Sequence, residues 1–333
     1  MRIPTYLSPS AIAKWETSVE GFYLHYLTDN PPPREQQNQA MAIGSSFDAY
    51  VKAFLHEKLF GKSHTDSNRF GLRALLEAQV EPQHRDWAKR HGLYAFQVYQ
   101  SSGALLDLLS DLQAAQKEPR FEFEVKGQVD GYREGVMKEM EGVIFLGKPD
   151  AAYINRDGKH IILDWKVNGY CSNYATSPKP GYVRLRGMGG RSWGMHKGCS
   201  PMEIGGITVN IASTLEHCDE GWARQLAIYG WLCDEPVGSD FIVAIDQLSC
   251  KPSGMADIPP EIRVAEHRIR IGKEYQFKVF NRAKEIWSII KSGHIFRQMS
   301  EGDSKARCQL LDQQAEELYG PNADSDFLEM TRR

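Results

Sequence analysis

The six cysteines of this 333-residue chain never form a C-x-x-C pair or a tight group. Cys171, Cys199, Cys218, Cys233, Cys250 and Cys308 are scattered, which argues against a zinc knuckle, a redox motif or a disulfide framework. Buried reduced thiols are the remaining reading. Long hydrophobic runs are also missing: none approaches the roughly 18 apolar residues of a membrane helix. The opening MRIPTYLSPS lacks a signal-peptide core, so the expectation is a cytoplasmic protein with no membrane partner. Charge of one sign is lacking too. Lys and Arg number 40 against 43 Asp and Glu, for a net charge of -3. Any attraction to nucleic acid must therefore come from a local basic surface. No low-complexity tract, internal repeat or linker is evident. At 41% hydrophobic and 25% charged residues, the composition is that of an ordinary globular protein. The length is sufficient for a large core.

Ser8 and Pro9 suit a helix start, and Ile12, Trp15, Val19, Phe22, Tyr23 and Tyr26 follow at helical spacing as a core stripe. Pro31-Pro32-Pro33 ends that element. A second helix is expected from about Met41 to Leu59. Its opening is unusual, with Asp48 among Phe47, Ala49, Tyr50, Val51 and Phe54; the plain alternative is a helix-start residue near Gly44. Positions 64 to 117 read as helical and polar. From Phe121 to Val125 the period becomes that of a strand, and Asp240 to Leu248 and Glu261 to Ile271 read the same way. Trp222 to Leu232, Tyr275 to Ile290 and a tail from Ala306 to Tyr319 read as helices.

The most informative stretch is Val143 to Val167, two apolar strands around a turn, each carrying an acid. Alternation puts Asp164 and Lys166 on one face and Ile161, Leu163, Trp165 and Val167 on the other. If Arg156-Asp157-Gly158 is a three-residue loop with Gly158 in the left-handed position, Asn155 pairs with Lys159 and Asp150 lies opposite Asp164. A loop one residue longer or shorter would separate the acids. Two facing carboxylates form a hard-oxygen site suited to Mg²⁺ or Mn²⁺, and a nearby lysine could hold a water or balance charge on phosphate. The D-x-K triplet recurs at Asp157 and at Asp303, so its context carries the argument. The plain alternative is an ion pair of Asp150 or Asp164 with Lys166.

Residues 169 to 202 hold Lys179, Arg184, Arg186, Arg191 and Lys197 and no Asp or Glu. Tyr170, Tyr174, Tyr182 and Trp193 are interleaved with them, which suits phosphate contact with base stacking. The alternative is a solvated loop. Gln225 and Tyr229 share one helix face.

Five stretches occur in this order: the helix from Leu7, then Gly44-Ser45-Ser46-Phe47-Asp48, Gly147-Lys148-Pro149-Asp150, Asp164-Trp165-Lys166 and Gln225-Leu226-Ala227-Ile228-Tyr229. Together they resemble the PD-(D/E)XK nuclease superfamily, in particular its RecB-like branch and the phage RecE-like exonucleases. By that resemblance Asp150 and Asp164 hold the metal, with the Trp165 carbonyl as a further ligand. Lys166 is then the catalytic lysine, and Gln225 and Tyr229 orient the site or touch the DNA backbone. Asp48 stands where the RecB-like pattern usually has histidine, and would be a third ligand. No cysteine arrangement matches the iron–sulfur relatives, so no iron–sulfur cluster is expected.

The fold expected is α/β: a central mixed sheet with an antiparallel meander flanked by helices, a restriction-endonuclease-like core with helical decorations at both ends. The expected divisions are a helical part over 1–118, the α/β core over 119–300 with its basic insert at 169–220, and a tail over 301–333. The function expected is a Mg²⁺- or Mn²⁺-dependent deoxyribonuclease, an exonuclease of phage-type recombination or DNA processing. Lys179, Arg184, Arg186, Arg191, Trp193 and Lys197 would contact DNA, and a single-strand-annealing recombinase or single-strand-binding protein would be the protein partner. The rival readings are a catalytically silent nucleic-acid-binding factor on the same fold and a sequence-specific endonuclease.

Overall fold

The structure, a computed structural model, describes residues 1–33, 36–64, 68–121, 136–186, 201–204, 207–210, 219–255 and 258–297, with scattered positions between 299 and 313. The chain divides into two compact units, residues 1–34 with 282–333 and residues 35–281.

In the smaller unit, helix α1 (Pro9–Thr17) starts on Ser8, whose Oγ accepts the Ala11 N–H at 3.1 Å. The helix expected from Ser8 through Tyr26 is not continuous. Ser18 turns extended at φ -161° and caps a new turn, accepting the Gly21 N–H at 2.9 Å. Helix α2 (Val19–Phe22) and a π-helical turn (Tyr23–Leu27) follow. The aromatic stripe is core, with Trp15 edge-on to Phe22 at 5.2 Å between centroids. The expected tail helix, Ala306 to Tyr319, falls almost wholly outside the described residues.

Among its described residues the larger unit has ten strands: β1 (Arg120–Phe121), β2 (Val136–Met140), β3 (Val143–Gly147), β4 (Ala151–Ile154), β5 (His160–Asn168), β6 (Tyr182–Arg186), β7 (Pro201–Ile204), β8 (Ile207–Asn210), β9 (Ile242–Lys251) and β10 (Glu261–Arg270). The main sheet runs β1-β4-β5-β9-β10-β8-β7, with β6 also paired to β10. Strands β5 and β9 are parallel, whereas β4–β5 and β9–β10 are antiparallel, so the sheet is mixed as expected. Two strand assignments need correcting. β3 pairs with β2 in a separate two-stranded sheet, and only β4 continues with β5. Pro149 has no N–H to donate and interrupts the run between β3 and β4. The insert over 169–220, expected to be irregular, contributes β6, β7 and β8.

Helices α3 (Gln39–Phe60), α4 (Leu72–Gln79), α5 (Arg85–Ser101) and α6 (Ala104–Gln113) cover one face of the sheet. Phe47, Val51, Leu55, Tyr99 and Leu105 belong to one apolar core with Ile161, Leu163, Trp165, Ala244 and Leu248. The alternation read in β5 is therefore the one observed. Helix α7 (Glu220–Leu232) lies between the parallel strands β5 and β9 in the chain and packs on both, as a crossover element must. Helix α8 (Lys273–Ser292) follows β10. No helix among the described residues is long and apolar enough to cross a membrane.

Candidate active site

The turn between β4 and β5 sets the geometry of the site. Asn155 donates its N–H to the Lys159 carbonyl at 2.9 Å, and Gly158 donates to the Asn155 carbonyl at 3.0 Å. Gly158 has φ +78°, which favours glycine. The Asn155 side chain closes the loop, its Oδ1 accepting the Lys159 N–H at 2.7 Å and the Asp157 N–H at 3.2 Å. Ala151 then stands opposite Leu163, and Ile154 opposite His160. One residue further along this register, Asp150 falls opposite Asp164, which is the arrangement the turn predicts.

Asp150 sits just before β4, and its carboxylate reaches the end of the β5 acid. Its Oδ2 accepts the Trp165 N–H at 3.0 Å, and its Oδ1 accepts from Lys52 Nζ at 3.2 Å. Asp164 is 4% exposed and forms an ion pair with Lys166. The ion pair named as the plain alternative is thus present, but it is part of a larger group. Burial and then the Asp150 charge push the Asp164 carboxyl up to about 7. Burial acts on Asp150 in the same sense, yet Lys52, the Trp165 N–H and Lys166 outweigh it and hold that carboxyl below its ordinary value. Burial pulls Lys166 down, but Asp164 and Asp150 reverse the sign and keep it above the usual ammonium value. Lys166 therefore rests protonated.

Helix α7 brings Gln225 and Tyr229 to the same face. Gln225 Nε2 donates to the Tyr229 hydroxyl at 3.0 Å. Burial, followed by the Asp164 charge, pushes the Tyr229 phenol up to about 12. Its proton is consequently retained near neutrality and can be donated. Gly147 lies beneath the ring: a Cβ there would stand 2.6 Å from Tyr229 Cε1 and 2.7 Å from Leu232 Cδ1. The glycine of Gly147-Lys148-Pro149-Asp150 thus gives Tyr229 its seat.

Asp48 is not at a helix start. Helix α3 begins at Gln39 on the cap Asn38, whose Oδ1 accepts the Met41 N–H at 2.9 Å, so Asp48 lies mid-helix. One turn on, Lys52 Nζ donates to Asp48 Oδ2 at 2.7 Å as well as to Asp150. Lys52 is 1% exposed and was not among the residues singled out from the sequence. Asp48-x-x-x-Lys52 reads as an ordinary surface pair at i,i+4, and burial by a distant acid is invisible locally.

The residues assigned to DNA separate. Lys179 and Arg184 are exposed, with Lys179 near Asp219 at 3.3 Å and Arg184 near Asp107 at 3.3 Å. Arg186 is corrected: it is 7% exposed, forms ion pairs with Glu266 and Asp107, and has no surface to offer. Arg191, Trp193 and Lys197 lie outside the described residues. On the helix-covered face a second charged group was missed. Arg268 donates to Asp246 Oδ1 at 2.6 Å, the Tyr99 hydroxyl donates to Asp246 Oδ2, and Trp165 Nε1 donates to the Tyr99 oxygen at 3.3 Å. An acid inside the apolar run Ile242-Val243-Ala244-Ile245-Asp246 was the available signal. The group pins the indole of the residue whose N–H holds Asp150.

A family model described as the PD-(D/E)XK nuclease superfamily matches residues 6–177, just over half of the chain. The chain belongs to that superfamily. The matched span includes Asp48, Asp150, Asp164 and Lys166, while Gln225 and Tyr229 lie beyond it. No curated protein matches the chain. The superfamily's fold agrees with the mixed sheet and flanking helices seen here. It is a superfamily of nucleases, which generally use divalent metals such as Mg²⁺.

The side chains fit such an ion. Asp150 and Asp164 offer only hard oxygens, and the buried Asp164 Oδ2, although in ion contact with Lys166, lacks a properly directed hydrogen bond. Two adjacent buried carboxylates cannot both ionise cheaply without a cation. Among the described residues no group of three His, Cys, Asp or Glu is placed to hold a metal.

Proposed function

We propose that this chain is a Mg²⁺- or Mn²⁺-dependent deoxyribonuclease, acting as an exonuclease in phage-type recombination or DNA processing. The observation that carries the reading is the face on which Asp150, Asp164 and Lys166 converge. A divalent ion held by Asp150 and Asp164 would supply Lewis acidity and an activated water. Lys166, kept protonated by the two acids, would offset negative charge on the phosphodiester. The Tyr229 hydroxyl accepts from Gln225 and keeps its own proton, so it can donate to a phosphate oxygen. Lys179 and Arg184 supply exposed positive charge for the DNA backbone. The exonuclease assignment rests on the resemblance of the motifs, as does a handover of product to a single-strand-annealing recombinase.

End-labelled linear DNA and covalently closed DNA, each incubated with Mg²⁺ or Mn²⁺ and sampled over time, test this. Progressive digestion of the linear form alone is expected, with loss of activity in Asp164→Ala. Cleavage of closed circles into fixed fragments would make it an endonuclease. Metal-independent binding without cleavage would make it a silent binding factor.

A further inference from the structure

We infer that Lys52 is a built-in cation filling one cation position of the site, so that the chain takes a single divalent ion and Asp48 holds Lys52 instead of metal. The inference rests on the metal-dependent reading above. An ammonium as enclosed as Lys52 is costly to bury unless carboxylates surround it. It has them: Nζ stands 2.7 Å from Asp48 Oδ2 and 3.2 Å from Asp150 Oδ1.

Two-metal hydrolysis needs ions about 3.5–4 Å apart, with acidic oxygens facing both. Asp150 is the acid placed between Asp164 and Asp48, and would have to serve both ions. Its Oδ1 accepts from Lys52 and its Oδ2 from the Trp165 N–H, which leaves acceptor capacity for one ion beside Asp164 and puts an ammonium, not a metal, on the side that faces Asp48. The charges agree. With all three acids ionised, as ion binding requires, Asp48, Asp150 and Asp164 against Lys52 and Lys166 leave one net negative charge, which one divalent ion reverses and a second would drive to a surplus of three positive charges. The substitution that changes the count is therefore at Lys52 and not at Asp48.

Direct titration with Mn²⁺, following free ion by its electron-paramagnetic signal and heat by calorimetry, reads this without any substrate. One ion per chain is expected for the wild type and for Lys52→Arg. Two are expected for Lys52→Met, whose neutral side chain empties the position. Asp48→Asn should still bind one ion, with affinity changed less than tenfold. Two ions in the wild type, one in Lys52→Met, or loss of binding in Asp48→Asn would each overturn the inference while leaving metal dependence intact. No Mn²⁺ bound by the wild type would instead remove the metal-dependent reading, and this inference with it. Should Lys52→Met fail to fold, the wild-type count and Asp48→Asn still decide.

Discussion

Tyr229 and Gly147 are in such close apposition that a single methyl group on the glycine would stand 2.6 Å from the ring. The ring has little room to retreat, because its own helix places Leu232 beside the same spot, at 2.7 Å from that methyl position. Gly147→Ala should therefore push helix α7 outward and break the alignment of Gln225 and Tyr229 with the acids. We expect a stability loss of about 1–3 kcal/mol from overpacking. DNA hydrolysis should fall by roughly 10- to 100-fold through misplacement of the positioning groups. Denaturant melts and single-turnover cleavage measure the two effects separately. Unchanged turnover in a folded variant would show that Tyr229 has no part in the reaction.

Asp164 predicts a pH dependence of opposite sign to that of a carboxylate whose pKa is depressed by salt bridges or hydrogen bonds. Its carboxyl is raised to about 7 in the folded protein. In the unfolded chain an aspartate titrates at about 3.9. Between those values the folded state binds more protons than the unfolded state, so stability falls as pH rises. Below the window both forms are protonated, and above it the penalty is constant. Asp150, held below its ordinary value, contributes stability above the unfolded aspartate value and loses it only under more acidic conditions. Melting in EDTA from pH 4.5 to 8 should show the metal-free protein losing several degrees, with a flatter profile for Asp164→Asn. Mg²⁺ should restore stability most at the alkaline end, where the acid is already ionised. Equal slopes for wild type and Asp164→Asn would refute the assignment.

The local parts of this site were legible and the distant ones were not. Asn155, Asp157 and Gly158 fix their turn within a few residues, and the Asp150–Asp164 register follows from it without reference to the rest of the chain. Faces within β5 follow from alternation for the same reason. Lys52 was illegible because its burial is decided by Asp150, separated from it by 98 residues. The pairing of β3 was misread because apolar alternation does not name a partner strand; Pro149 was the one local sign of a break. Arg186 looked like part of a basic patch because composition records charge and not the acids that meet it, Glu266 and Asp107, from other elements.

The Asp246 group is a test of architecture apart from chemistry. Asp246 is fully buried and receives Arg268 at 2.6 Å together with the Tyr99 hydroxyl. Asp246→Ala leaves the buried Arg268 only Glu266, at 3.9 Å, and should cost about 3 kcal/mol, the lower end for breaking a buried ion pair. Tyr99→Phe removes one hydrogen bond to a charged acceptor and should cost about 1.5–3 kcal/mol. Both are readable by urea denaturation. Tyr99→Phe also frees the Trp165 indole that it anchors, so its effect on cleavage should exceed that of an equally destabilising change in a remote part of the core.

Arg186 and Lys179 are close in sequence and should nevertheless fail in different assays. Arg186 is enclosed between Glu266 and Asp107, so Arg186→Ala takes from the buried Glu266 its hydrogen-bonded cation and leaves it Arg268 at 3.9 Å, which should lower stability by about 1.5–3 kcal/mol. Lys179 is exposed, and its contact with Asp219 is a surface pair worth at most about 1 kcal/mol. Lys179→Ala should leave the melting temperature nearly unchanged and weaken DNA binding at all sequences alike. If the side chain neutralises one phosphate, the slope of log affinity against log salt should become shallower by about 1. Fluorescence anisotropy with a labelled duplex between 50 and 200 mM salt, about the range over which such slopes are measured, resolves that change. A Lys179→Ala slope equal to that of the wild type would take Lys179 out of the DNA path. A shallower slope in Arg186→Ala, measured under conditions where it remains folded, would mean that the arginine leaves its acids to meet DNA.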